Sequence, residues 1–282
     1  MKSTGITLCF PDHEKTCFAC CPPIRPAGYD HIQYRDMIKR VLRENMEGFR
    51  KDDSEIVPIT GFSCWALGYV DKSYRLVGCM LHPAQNGGID LRYRIEYGDK
   101  CRREICQEEK IFSQLGIDEQ RFWLQLTHGF DSFSYSSRKI NPLFNMMGWG
   151  TYLLRLIAKK ERNKSFTMDS FFQAYPFFTT KISLRANVYL INELVSEEKI
   201  HLLKSDSFKA EFERFTIRLS ERLNHESHNI WNGPHVHLLD LDQDFLDFLR
   251  LSGRIKKINK EDAVALKEIV DEELHRFKPN IR

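Results

Sequence analysis

All eight cysteines of this 282-residue chain lie between Cys9 and Cys106, and none follows. Their order is Cys9, then Cys17-Phe-Ala-Cys20-Cys21, then Cys64, Cys79, Cys101 and Cys106. Thiols gathered in this way chelate a metal, hold an iron–sulfur cluster or pair as disulfides. Each of these ties distant stretches of backbone to one point, so the thiols limit the shapes open to this part of the chain. The first 30 residues need such a tie. They are irregular and proline-rich (Cys21-Pro22-Pro23, Arg25-Pro26-Ala27-Gly28), and backbone without a hydrogen-bond ladder of its own must be fixed from outside.

At 42% hydrophobic, 12% aromatic and 29% charged, the chain can bury a globular core. The net charge of +3 gives no bulk argument for nucleic acid or a membrane surface. No apolar run approaches the roughly 20 residues that span a bilayer. The segment from Met1 to Phe10 is too short, and too soon followed by charge, to read as a secretory signal. The expected location is therefore the cytoplasm. A reducing compartment disfavours disulfides and puts a metal or cluster ahead of them. The plainer alternative is a set of buried, unliganded thiols, since cysteine is among the most buried residue types.

The expected fold class is α+β: a small, Cys-rich, metal-organised region with a short antiparallel meander, then a mainly helical part. The division falls at residues 1–110 and 111–282, with the two parts able to share one core. A helix is predicted from His31 to Phe49. Ile32, Ile38, Val41, Leu42, Met46 and Phe49 fall near one face of it, and Asp30 is the N-cap candidate. Strands are predicted at Trp65–Val70 and Arg75–His82. A third follows, because Ile89, Leu91, Tyr93 and Ile95 alternate with Asp90, Arg92, Arg94 and Glu96. Beyond residue 103 the period becomes helical, with helices expected at 103–115, 118–128, 141–162, 183–195, 206–225, 242–252 and 260–277. Pro142 suits a first turn, Ser205 and Asn259 are caps, and Gly253 is a stop. Phe166 to Phe178 is aromatic, and Pro176 breaks any long helix there.

Cys17-x-x-Cys20 has knuckle spacing: two intervening residues let both sulfurs face one ion. Cys20 and Cys21 are adjacent and in extended backbone point to opposite faces, so they serve different sites or one is a bystander. Cys79-Met-Leu-His82 offers a second chelating pair, and His13 lies between Cys9 and Cys17. The group expected around one ion is Cys17, Cys20 or Cys21, Cys64 and Cys79. Cys101 competes for a place in it, and Cys9 and Cys106 are second-site ligands or bystanders.

The order Cys17-x-x-Cys20-Cys21, Cys64-Trp-Ala-Leu-Gly, Gly78-Cys79-Met-Leu-His82-Pro83 and Cys101-Arg102 resembles the CxxCxxCC family of zinc- or iron-chelating domains. The resemblance covers residues 9–106. It implies metal chelation, with Cys17, Cys20, Cys21, Cys64, Cys79 and Cys101 at the matched positions, and it implies no defined reaction. Flagellin lysine methylases carry a similar cysteine cluster, but no methyl-donor site is legible in this chain.

Elsewhere, His225, His228, His235 and His237 read as a polar loop between helices, with a second metal site as the alternative. Ser132 to Arg138 reads as a serine-rich loop, and no GxSxG elbow marks a nucleophile. There is no Walker A sequence and no GxGxxG. Lys159-Lys160 and Lys256-Lys257 fall where they complement helix dipoles. The function expected is that of a metal-binding protein, holding zinc or an iron–sulfur cluster on its N-terminal cysteines, with a protein partner on the helical part. The alternative is an iron–sulfur-dependent oxidoreductase or methylase-like enzyme whose helical part binds substrate.

Overall fold

The computed structural model describes residues 6–19, 21, 30, 32–50, 55–60, 63–103, 106–226 and 233–277. The chain divides into two compact units, residues 1–144 and 145–282. It is mostly helical with one small antiparallel sheet of two strands.

In the first unit, helix α1 (Arg35–Gly48) buries Ile38 and Leu42 against strand β1 (Leu67–Tyr69). Asn45 of α1 donates to the carbonyls of Leu67 (2.8 Å) and Cys64 (3.1 Å). β1 pairs with β2 (Val77–Cys79) in the register Leu67↔Cys79, Gly68↔Gly78, Tyr69↔Val77. Between them the Asp71 carboxylate closes the turn by accepting the N–H groups of Arg75 and Leu76. Short helices follow: α2 (Gly98–Arg103), α3 (Gln107–Phe112), α4 (Ile117–Leu124) and α5 (Ser132–Ser136). The core gathers Phe18, Leu42, Cys64, Leu67, Val77, Leu81 and Phe133, with Cys21 and Cys79 packed against it.

Several expectations change. Asp30 does not cap α1. The helix starts at Arg35, and Asp30 instead accepts the N–H of Ile32 and the hydroxyl of Ser137. The third strand of the meander is absent: residues 89–97 are irregular around a 3-10 segment at Arg92–Arg94, with a single bridge from Ile95 to Val57. The alternating apolar residues do not share one buried face: Ile95 is 3% exposed, but Ile89 is 65% and Tyr93 48% exposed. The Asp90 carboxylate takes both the backbone N–H and the guanidinium of Arg92, and local bonds of this kind compete with a ladder. Ser132–Ser136 is a helix rather than a loop, with Ser132 and Ser136 buried.

In the second unit the helix expected over 141–162 is broken. Helix α6 (Leu143–Met147), which begins before the division between the units, stops short of Gly148-Trp149-Gly150, and α7 (Gly150–Glu161) follows. Gly150 sits at φ 80°, a left-handed conformation that glycine adopts without steric cost. Helices α8 (Met168–Ala174), α9 (Val188–Leu194), α10 (Asp206–Glu226), α11 (Gln243–Leu251) and α12 (Lys260–Phe277) complete it. Ser205 accepts the N–H of Phe208, Asp242 that of Phe245, and Asn259 that of Asp262. The aromatic stretch resolves into α8 and a 3-10 turn, with Phe171, Tyr175, Phe177 and Phe178 all buried. α12 docks on α10 through stacked Phe215 and Phe277 rings, with centroids 4.4 Å apart. Among the described residues no helix is long and apolar enough to cross a membrane.

Candidate metal centre

Three cysteines lie near the end of the sheet. Cys64 leads into β1, Cys79 closes β2, and Cys101 sits on α2. Cys64 is 4% exposed. The backbone amides of Ala66 and Leu67 favour the charged form of Cys64, and that of Leu81 the charged form of Cys79; the Leu67 N–H itself donates to the Cys64 carbonyl at 3.0 Å. Burial pushes the Cys64 thiol up to about 11, against those amides and with the charge of Cys101 adding to the rise. Burial likewise pushes Cys79 up to about 12, the Leu81 amide and Arg92 opposing and Cys64 and Cys101 reinforcing. Cys64, Cys79 and Cys101 therefore lie within electrostatic reach of one another, and Cys21 packs on the same core.

Arg92 holds this group together. Its Nη1 donates to the Cys101 carbonyl at 2.7 Å and its charge faces both Cys79 and Cys101. Asp90 fixes the guanidinium through two bonds, and in return Arg92 holds the Asp90 carboxyl down at about 2. Gly98 makes this approach possible. A Cβ there would lie 2.3 Å from the Arg92 carbonyl oxygen, so no other residue lets α2 come this close without a backbone shift.

His82 stands beside the group. Burial, followed by Arg92, lowers its pKa, with Asp90 opposing. Its Nδ1 accepts the N–H of Ala84 at 3.2 Å, which leaves the proton on Nε2, so neither nitrogen offers a bare lone pair. His13 is exposed in a turn.

Cys17 has other neighbours. Its N–H donates to the Cys9 carbonyl at 2.9 Å, and its charge, with that of Cys9, bears on the Tyr135 phenol. Cys106 and Cys17 both face Arg138. Cys20 lies outside the described residues, as does His228. His225 lies in the last turn of α10, and the His235 and His237 rings stack at 5.5 Å on the surface. Among the described residues no group of three or more His, Cys, Asp or Glu side chains is positioned to hold a metal ion.

Sequence reasoning found the thiols but missed the residues that place them: Arg92, Gly98, Arg138, Tyr135 and the serines of α5. The one available signal was the Ser132/Ser136 spacing, which puts both hydroxyls on one helix face. In comparisons with family models, with curated proteins and with solved structures, nothing matches this chain.

Proposed function

We propose that this is a metal-binding protein that holds zinc or an iron–sulfur cluster on thiolates of its first unit, with Cys64, Cys79 and Cys101 as donors and Cys21 on the same core. One observation carries the reading. Cys64, at 4% exposure, lies in the core of the first unit, and Cys79 and Cys21 pack against that core, so thiols from three separate stretches of chain share one shielded environment. The donor set suits a soft ion. Uncompensated thiolates in this setting would be costly, and a metal cation replacing their protons removes that cost. Arg92 offsets part of the excess negative charge. The resemblance to the CxxCxxCC family, which matches the same cysteines, points the same way. Thiols of this kind persist in a reducing compartment, so the reading also places the chain in the cytoplasm.

When bound, the metal would supply structural cross-linking or, as a cluster, electron transfer. Of the residues themselves, Arg92 would hold a guanidinium beside the thiols, bonded to the Cys101 carbonyl at 2.7 Å. The test is the metal content and absorption spectrum of the anaerobically purified full chain. Stoichiometric zinc, or iron with acid-labile sulfide, is expected. A metal-free protein whose eight cysteines all titrate as thiols, and which takes up neither metal on reconstitution, would overturn the proposal.

A further inference from the structure

Four cations stand close together in sequence where α11 gives way to α12. Lys256 and Lys257 do not complement a helix dipole as expected. α11 ends at Leu251, and both lysines lie nearer the start of α12, whose first residue is Lys260. A helix N-terminus carries partial positive charge, which disfavours cations. Arg254 completes the set. All four side chains are exposed, and none makes an ion pair or hydrogen bond with another described residue. Two acids nearby in sequence are engaged elsewhere: Asp242 accepts the N–H of Phe245, and Asp262 accepts the side-chain amide of Asn259. Arg254 also adopts φ 55°, a left-handed conformation that glycine takes without steric cost. Neither the helix dipole nor the backbone therefore accounts for this cluster.

The backbone beneath it is fixed. His235 faces Lys257 across an antiparallel bridge, with Val236 donating its N–H to the Lys256 carbonyl and Ile258 its N–H to the Pro234 carbonyl, both at 3.1 Å. Val236, Ile255 and Ile258 are buried. Gly233 backs onto the same segment so closely that a Cβ there would lie 2.4 Å from the Ile258 carbonyl carbon. Residues opposite each other across a bridge share a face, so Lys257 stands beside His235, whose ring stacks on that of His237. Leu238, the next residue, is 66% exposed, and Leu251, at the end of α11, is 39% exposed.

We propose that this face of the second unit, with Arg254, Lys256 and Lys257 beside the exposed Leu238, docks an acidic segment of a partner protein in which carboxylates alternate with apolar side chains. The guanidinium of Arg254 matches a carboxylate in two parallel bonds, the lysines add point charges, and Leu238 meets an apolar neighbour. Exposed ion pairs are weak singly, so the partner must engage several of these cations at once, and a fixed backbone lowers the ordering cost of doing so. Other polyanions fit less well. Nucleic-acid phosphates gain nothing from exposed leucines, and among the described residues from 233 to 264 no Trp, Tyr or Phe is exposed for bases to stack on. Helices that lie in a membrane surface bury a continuous apolar face, which two leucines do not make. The surface belongs to the second unit alone, and the proposal stands whether or not the thiols of the first unit carry metal.

The test is fluorescence anisotropy of a short labelled peptide alternating Glu with Leu, titrated with the full chain at low and at physiological salt. Saturable binding that weakens as salt rises is expected. Arg254→Gly combined with Lys256→Ser and Lys257→Ser is expected to weaken it about tenfold. Arg254→Gly alone separates binding from folding. Glycine relieves the positive φ, so the urea midpoint should not fall below the parent's while the affinity drops. No binding by the parent, equal binding of a peptide with Lys in place of Glu, or affinity unchanged in both variants overturns the proposal. A mixed-sequence RNA and vesicles containing phosphatidylserine are titrated in parallel. Tighter binding of either than of the acidic peptide overturns the assignment to a protein partner, and weaker binding of both supports it.

Discussion

Arg92 is one of two side chains that do the most for their surroundings. It bonds Asp90, reaches the Cys101 carbonyl and faces the thiol group. Partners that stand behind metal ligands commonly change affinity by about 10- to 100-fold. If Cys64, Cys79 and Cys101 hold a metal as proposed, Arg92→Gln is expected to weaken that hold by about that factor, measured by chelator competition. Unchanged competition would remove Arg92 from the account. The second is Glu161, buried at 1% exposure in the other unit. Burial works against its charge, but bonds from Lys164, Lys204 and Tyr175 outweigh that and hold its carboxyl down at about 2. The native carboxyl binds its proton more weakly than the unfolded one does. Its stabilisation is thus complete above the ordinary value near 4.5 and drains away as the pH falls toward about 2. Glu161→Gln should cost about 2 kcal/mol at neutral pH, and the difference from the parent in urea unfolding should shrink across that acid window. A difference that stays constant with pH would show that the charge contributes nothing.

At the scale of elements, α5 stands out because its serines replace a strand's worth of bonding. Ser132 accepts the N–H of Thr16 and donates to the Arg75 carbonyl, and Ser136 accepts the N–H of Phe18. Ser132→Ala with Ser136→Ala leaves two buried amides unpaired, at about 1–3 kcal/mol each. Faster hydrogen exchange at Thr16 and Phe18 is the expected sign, and unchanged protection there would contradict it. Gly98→Ala should push α2 off the Arg92 carbonyl and, if the thiols hold a metal as proposed, lower its retention, without affecting amide protection in α10 to α12. Helices α10, α11 and α12 were legible in the sequence because their signals are local: a 3.6-residue period and, for α10 and α12, caps at Ser205 and Asn259, each a few residues from what it satisfies. The third strand misled because Asp90 and Arg92 satisfy each other inside an alternating pattern. α5 was read as a loop because its partners lie more than 100 residues away in sequence. The thiols of the candidate site were visible as residue types. Their surroundings were not, since they depend on Gly98 and two arginines that carry no pattern of their own.

At the scale of the molecule, the thiols and the long helices are allotted to different units, residues 1–144 and 145–282. The second unit closes its own core with aromatic contacts: Trp149 to Phe177 at 4.9 Å, Phe177 to Phe212 at 5.4 Å, and Phe215 on Phe277. If the thiolates carry metal, removing it with a chelator under reducing conditions should loosen amide protection within residues 1–144 and leave α10 and α12 as protected as before. Equal loss in both units would argue against confinement of the metal to the first.

The bonds from Ser132 and Ser136 to Thr16 and Phe18, which span 116 and 118 residues, also set an order in time. Cys17 leaves the ribosome early, but its anchors are not yet made. At common elongation rates the delay is on the order of ten seconds. During that interval the thiols of the nascent chain are open to oxidants and to adventitious metals. The segment that carries Cys17 gains its hold from Ser132 and Ser136 only once α5 has been synthesised.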